Sequence, residues 1–244
     1  MNPKPTAAQV RNALAKRANS TDAHNLQRFF KTGEGEYGEG DEFIGVRVPA
    51  TREVVRDFTE LPPAEVDELL DSPIHEHRLA ALLILNAQQK RAVQAKDQRA
   101  QKVNVDRYLA ALKRGRINNW DLVDASAEHV IGVWLLDKPR TLLFELAEQD
   151  SLWDRRVALL STFAFIKKGD PSTTFELATQ LIDDRRDLVQ KAVGWMLREV
   201  GKRVDQEQLA KFLDANAAEM GRTALSYATE HLDPAERAVY RAKR

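Results

Sequence analysis

The segment Q-K-A-V-G-W-M, residues 190–196, decides the fold, because three other segments repeat its pattern. Each has a basic residue followed by small and aliphatic residues, and the others are H-R-L-A-A-L-L (77–83), R-R-V-A-L-L-S (155–161) and G-R-T-A-L-S-Y (221–227). The aligned basic residues are 78, 35 and 31 positions apart. The first interval accommodates two units if N-N-W-D-L-V-D (118–124) occupies the missing one. A period in the thirties to low forties, with two helices per unit, is typical of a HEAT-type α-solenoid.

The apolar residues have helical spacing almost throughout, and the alternating runs that indicate strands are missing. This pattern predicts an all-α fold in one domain, residues 1–244, with N-terminal helices and a glycine-rich loop over 1–47 and repeats from about 48 to 244. Helix starts are predicted at cap residues or first-turn prolines, namely Thr6, Pro49 to Ala50, Pro62 to Pro63, Asp170 to Pro171, Asp205 and Asp233 to Pro234. The acidic segment Thr32 to Asp41 lacks the Lys-Ser/Thr of a P-loop and is predicted to be a surface loop.

The composition excludes several classes of protein. Cysteine is absent, which excludes disulfides, thiolate catalysis and cysteine-ligated metal sites. No apolar run approaches the roughly 20 residues that span a bilayer, and the first residues lack the apolar core of a signal peptide. We therefore expect a cytoplasmic protein that binds no cofactor and does not associate with a membrane.

The net charge of zero conceals an uneven distribution of charge. The stretch from Glu34 to Glu76 carries 13 acids and three bases, a charge of −10, so the rest of the chain carries +10. In a solenoid the repeated basic residues would form a stripe along one concave channel, and these residues are Arg78, Arg156, Lys191 and Arg222. Such a stripe would bind DNA phosphates. The alternative is a coincidence among ordinary amphipathic helices with solvated faces.

Two tryptophans lie in contexts that suggest a binding site. Trp120 and Asp124 are four residues apart, so on a helix they share one face, while Leu122 and Val123 face the core. A tryptophan face beside a carboxylate attracts a positively charged partner. Trp195 follows Gly194, which is unfavourable inside a helix unless a neighbouring helix or a ligand approaches closely. In that case Trp195 would open onto the channel; otherwise the glycine only relieves packing between helices.

Four segments together resemble the AlkD family of DNA alkylation repair glycosylases. The segments are R-F-F-K-T-G-E-G-E-Y-G-E-G-D-E-F-I-G-V-R-V-P (28–49), N-N-W-D-L-V-D (118–124), L-W-D-R-R-V-A-L-L-S (152–161) and V-Q-K-A-V-G-W-M-L-R-E-V-G-K (189–202). The resemblance extends from about Asn25 to about Leu232. It implies a HEAT-like solenoid that wraps duplex DNA and hydrolyses the N-glycosidic bond of cationic alkylpurines such as 3-methyladenine and 7-methylguanine. It also implies base excision without rotation of the base into a pocket, in the bacterial cytosol or nucleoid.

The resemblance assigns roles to individual residues. Asp124 matches the catalytic carboxylate, and Trp120 and Trp195 match tryptophans that would pack beside the lesion. Arg156 would hold the adjacent phosphate. Apart from the resemblance, the repeat alignment adds Arg78, Lys191 and Arg222 as phosphate contacts, and Arg198 would lie on the channel onto which Trp195 opens. Phe29 matches an aromatic residue of the N-terminal segment that is a tyrosine in some members, and Asn119 stands where some members have tryptophan.

Other functions compete with the glycosylase hypothesis. The chain could be a HEAT-repeat protein that binds branched or distorted DNA without catalysis, although such relatives usually lack parts of the catalytic set. A protein-binding scaffold is a third possibility for a repeat architecture. The segment His75-Glu76-His77 resembles a metal site, but adjacent helical residues diverge and a third ligand is missing, so surface histidines are predicted. We expect a monomer without bound metal; the preferred lesion stays open.

Overall fold

The computed structural model of the chain describes residues 4–243, and within them the fold is helical. The only β pairing in this range is a single-residue bridge between Glu42 and Ile74. The chain divides into two compact units, one ending at Val130 and one starting at Ile131. This architecture confirms the predicted all-α class and is consistent with an α-solenoid.

The described part of the first unit, residues 4–130, contains seven helices. They are α1 (Ala7–Ala15), α2 (Ser20–Phe29), α3 (Val48–Arg56), α4 (Pro63–Leu70), α5 (His75–Gln94), α6 (Gln98–Lys113) and α7 (Trp120–Asp124). The central helix is α5, which packs against α1, α3, α4, α6 and α7. Every residue from 75 to 85 is buried, so the polar side chains in the first turn of α5 require partners inside the protein.

A π-helical turn, Glu128–Gly132, precedes the helices of the second unit. These helices are α8 (Thr141–Glu148), α9 (Leu152–Ser161), α10 (Phe163–Ile166), α11 (Ser172–Gln180), α12 (Asp187–Arg203), α13 (Gln206–Asn216), α14 (Arg222–Ala228) and α15 (Pro234–Ala242). The central helix here is α12, which packs against α9, α10, α11, α13 and α14. None of the described helices, in either unit, is long and apolar enough to cross a membrane.

The predicted helix starts are confirmed to within two residues. Thr6 and Asp233 each form a capping box, in which the cap side chain accepts a backbone N–H and a glutamine or glutamate side chain reciprocates. Asp205 caps α13, while prolines occupy the first turns of α3 and α4. Local sequence therefore specifies where these helices begin.

Gly194 allows α12 and α14 to pack closely. A Cβ atom on Gly194 would lie 2.3 Å from the backbone oxygen of Ala224 and 2.5 Å from Cβ of Tyr227, which are both in α14. Only glycine fits at this crossing. Contact with a neighbouring helix is thus the reason for a glycine inside α12.

Candidate functional site

The short helix α7 presents the two residues that the sequence pairs. Leu122 and Val123 are fully buried, as predicted, and Trp120 and Asp124 occupy half-buried positions one turn apart. Asn119 is the N-cap, and its side-chain oxygen accepts the backbone N–H of Trp120 at 2.9 Å. The asparagine that replaces a tryptophan of some family members therefore begins the helix.

Trp120 belongs to a group of contacting rings that we call the aromatic stack, made of Phe29, Phe30, Phe43, His75 and Trp120. Phe30 is at its centre, stacked on Trp120, on Phe43 and on His75 with ring centroids 5.1–5.2 Å apart. Phe29 meets Trp120 edge to face at 5.8 Å and is 63% exposed. The structure thus brings together Phe29 and Trp120, two residues that the sequence placed in the site.

Behind the aromatic stack lies a buried charged network of His75, Arg78, Asp41, Asn118 and Asp121. Nε2 of His75 is 2.9 Å from Asp121 and Nδ1 is 3.1 Å from Asp41. Arg78 pairs with Asp41 at 2.6 Å and donates to Asn118 at 3.1 Å. Two acids and two bases therefore neutralise one another inside the first unit.

This network shifts the pKa values of His75 and Asp41. Burial opposes a charged imidazole, but the carboxylates of Asp121 and Asp41 outweigh it and raise the pKa of His75 to about 9. Burial also works to raise the pKa of Asp41, but the hydrogen bond from His75 and the charge of Arg78 outweigh it and lower the pKa. His75 is therefore a cation at neutral pH.

The prediction of surface histidines was wrong for the segment 75–77. All three side chains are buried, because α5 has neighbours on every side in its first half. The Glu76 carboxylate accepts the backbone N–H groups of Ile44, Gly45 and Val46 at 2.8–3.2 Å, which fixes the chain just after Phe43. Nδ1 of His77 lies 2.9 Å from the Ser72 hydroxyl. Within residues 4–243, groups of three or more potential metal-ligating side chains are not found.

Arg78 was predicted to contact DNA from the basic stripe, and the structure corrects this. Its side chain is only 2% exposed, and its guanidinium binds Asp41 and the backbone oxygens of Ser72 and Pro73. Its charge is compensated by the buried carboxylate of Asp41, so Arg78 is not available to a DNA phosphate in this structure. Its function in this fold is to hold the charged network and the turn before α5.

The second unit contains the other predicted site residues. Arg156 is 4% exposed, and its Nη1 donates to the backbone oxygen of Leu188 at 2.6 Å. Trp195, on α12, is half-buried, with its ring centroid 6.5 Å from that of Phe163. The convergence of Arg156 and Trp195 with Trp120 and Asp124 in one channel stays a prediction.

The remaining predicted phosphate contacts differ in how their charges are compensated. Lys191 pairs with Asp187 at 2.7 Å, and Arg198 pairs with both Glu199 and Glu230. Arg222 is exposed and has no ion pair with any residue between 4 and 243. Arg222 therefore retains the most available charge of the three.

Sequence reasoning missed the charged network and the central position of Phe30. Asp121 was left without a role, although it binds His75. One signal was present in the sequence: the continuous apolar run from Leu79 to Leu85 indicates a helix buried on all sides. A histidine one turn before such a run is a candidate for burial.

The fold and the site together define an all-α protein. Its short helix α7 carries a tryptophan and a carboxylate and lies beside the buried charged network. Residues 10–232 match the family described as DNA alkylation repair enzyme, and the chain belongs to this family. A solved structure described as a predicted DNA alkylation repair enzyme from Enterococcus faecalis is similar, with a TM-score of 0.65 and 16% identity over 89% of this chain and 98% of that one. At this identity the likeness supports the fold. A search among proteins of curated function gave no match.

Proposed function

We propose that this protein is a monofunctional DNA glycosylase that releases N3- and N7-alkylated purines from duplex DNA, in base excision repair. Membership of the DNA alkylation repair enzyme family supports an enzymatic role on DNA. The observation that carries the finer proposal is the position of half-buried Trp120 and Asp124, one turn apart on α7, with the exposed ring of Phe29 against Trp120. We expect it to act as a monomer in the bacterial cytosol or nucleoid, without a cofactor.

The chemistry of the substrate explains why one carboxylate suffices. Alkylation at N3 or N7 leaves the purine positively charged, so the base departs with the electron pair of the C1′–N bond and becomes neutral without a proton donor. The deoxyribose becomes oxocarbenium-like as this bond breaks. A carboxylate at Asp124 stabilises that positive charge and orients the water that attacks C1′ and then loses its proton.

The aromatic residues have a complementary role in this proposal. The half-buried Trp120 offers a ring to the deoxyribose, and ring faces attract developing positive charge. Its edge contact with Phe29 and its stacking on Phe30 hold the indole in one orientation. Trp195 would pack on the strand from the second unit, and Arg156 would hold the phosphate beside the lesion.

Selectivity in this proposal comes from the lability of the cationic base. The rings around Trp120 pack on one another, and we propose that excision proceeds without rotation of the base into a pocket. Neutral lesions would then be poor substrates. The choice between 3-methyladenine and 7-methylguanine would follow their intrinsic lability.

The test is release of 7-methylguanine from a duplex under single-turnover conditions. Asp124→Asn should lower the rate by about 100-fold or more, because the amide cannot stabilise the oxocarbenium ion. The matched control is Asp106→Asn, an exposed aspartate on α6 paired with Lys102, which should leave the rate unchanged. Release by wild type no faster than the spontaneous rate would contradict the proposal. If wild type released no base but still bound duplex DNA in a salt-dependent manner, the alternative of a HEAT-repeat protein that binds DNA without catalysis would hold.

A further inference from the structure

His75 joins three segments of the first unit that are distant in sequence. It lies in the first turn of α5 and binds Asp41, in the loop before Phe43, and Asp121, in the first turn of α7. The His75 and Asp41 side chains are 2% and 4% exposed, and that of Asp121 is 12% exposed. The bridge between His75 and Asp121 is thus shielded from water and from salt.

The geometry of His75 fits a charged ring between two ionised carboxylates. A neutral imidazole carries one N–H, whereas both ring nitrogens of His75 lie within hydrogen-bond distance of a carboxylate oxygen. Only the imidazolium donates to both. Its pKa, raised to about 9 by Asp121 and Asp41 against burial and the charge of Arg78, agrees with this geometry.

The same ring also contacts the aromatic stack. The His75 ring lies 4.5 Å from that of Phe43 and 5.1 Å from that of Phe30, nearly parallel to both. Phe30 in turn stacks on Trp120. A cationic ring against these phenyl faces is favourable. His75 therefore reaches α7 at two points, Asp121 through a charged hydrogen bond and Trp120 through Phe30.

We propose that His75 is a positioning residue for α7, whose bridge to Asp121 and contact with Phe30 set the orientation of Trp120 and Asp124. The predicted effect of replacing His75 on the excision rate rests on the proposed glycosylase function. The predicted effect on the environment of Trp120 does not depend on that function.

Helix α7 needs such an anchor because it has only five residues. A single turn is unstable by itself in water, so tertiary contacts must hold it. One oxygen of Asp121 binds His75, and the other is buried without a hydrogen-bond partner among residues 4–243. Removing the imidazolium would leave a carboxylate enclosed without compensation, and α7 would move to hydrate it.

The experiment compares His75→Gln with His77→Gln. Both histidines are buried on α5, but His77 binds Ser72, in the turn before α5, whereas His75 binds α7. The protein is labelled with 5-fluorotryptophan, and the fluorine resonance of Trp120, one of four tryptophans, is assigned with Trp120→Phe. We expect His75→Gln to shift or broaden this resonance and His77→Gln to leave it in place.

Excision supplies a second readout. With His75→Gln, single-turnover release of 7-methylguanine should fall about 10- to 100-fold, because small displacements of reacting groups have effects of this size. Affinity for unmodified duplex should stay within about twofold of wild type, since His75 is buried and would not contact the DNA. His77→Gln should preserve both values.

Three outcomes would overturn the proposal: an unchanged Trp120 resonance in His75→Gln, equal effects of the two histidine variants, or additive effects of His75→Gln and Asp121→Asn on excision. Coupled residues give a double variant whose excision rate is hardly lower than that of the slower single variant.

If His75→Gln does not fold, Asp121→Asn tests the same bridge from α7 with both readouts. If wild type releases no base, the proposed function fails, while the fluorine spectra still decide the claim about α7.

Discussion

At the scale of single residues, His75 and His77 show that neighbours determine protonation more than residue type does. Both side chains are buried on the same helix. His75 faces two carboxylates, and its pKa rises to about 9. His77 has no acidic partner among residues 4–243; burial and the charges of Arg11 and Arg78 lower its pKa to about 4. Two histidines two positions apart therefore carry different charges at neutral pH.

We predict that the free energy of unfolding falls on both sides of neutral pH. The raised pKa of His75 means that its contribution is complete below pH 6.5 and is lost as pH rises through about 9. The difference between these values corresponds to at most about 3 kcal/mol. The lowered pKa of His77 gives a contribution that is present above pH 6.5 and is lost as pH falls towards about 4.

Urea unfolding of wild type, His75→Gln and His77→Gln at about pH 5, 7 and 9.5 measures these contributions. His75→Gln should lose less stability than wild type between the two higher pH values, because the titrating group is gone. His77→Gln should instead reduce the loss between the two lower values. Parallel pH profiles for all three proteins would contradict the assignment.

At the scale of elements, the close crossing of α12 and α14 depends on Gly194, which has no side chain. Gly194 and Gly201 both lie in α12 and differ in what a Cβ would meet. At Gly194 it meets backbone of α14, which can move only with the whole helix. At Gly201 it meets Cδ2 of Leu209 at 2.5 Å, the end of a flexible side chain.

We predict that Gly194→Ala destabilises the protein and that Gly201→Ala is tolerated better. Overpacking at Gly194 costs about 1–3 kcal/mol, which exceeds the roughly 1 kcal/mol that alanine contributes to helix stability. At Gly201 the helix preference offsets the rotation of Leu209. Thermal unfolding of the two variants measures the difference; equal melting temperatures would show that α12 and α14 separate easily.

At the scale of the whole molecule, charge is distributed unevenly, and much of it is compensated internally. The segment from Glu34 to Glu76 carries the excess of acid, and part of it is buried with Arg78 and His75. Arg222 is exposed and has no ion pair within residues 4–243. Of the predicted phosphate contacts, Arg222 should therefore contribute most clearly to salt-dependent binding.

We predict that Arg222→Ala weakens duplex binding and lowers the slope of log affinity against log salt concentration by about 0.9, the value for one phosphate contact. The control is Lys102→Ala, which removes an exposed lysine already paired with Asp106 and should leave the slope unchanged. Titrations of an unmodified duplex at several salt concentrations give both slopes. Equal slopes for wild type and Arg222→Ala would remove Arg222 from the DNA-binding surface.

The sequence by itself determined the local features of this protein. Helical spacing, cap residues such as Thr6 and Asp233, and the burial of Leu122 and Val123 depend on neighbours within a few positions, so they can be read directly from the chain. The family could also be recognised, because its motifs are short and ordered along the chain.

Only the tertiary structure decided which polar residues are buried together. Asp41, His75 and Asp121 are more than 30 positions apart, and nothing near them in sequence indicates that they meet. Repeat alignment placed Arg78 on an exposed stripe, whereas packing around α5 enclosed it beside Asp41. The physical reason is that helical periodicity gives the direction of a side chain relative to its own helix, while its charge and exposure depend on what other segments bring to that face.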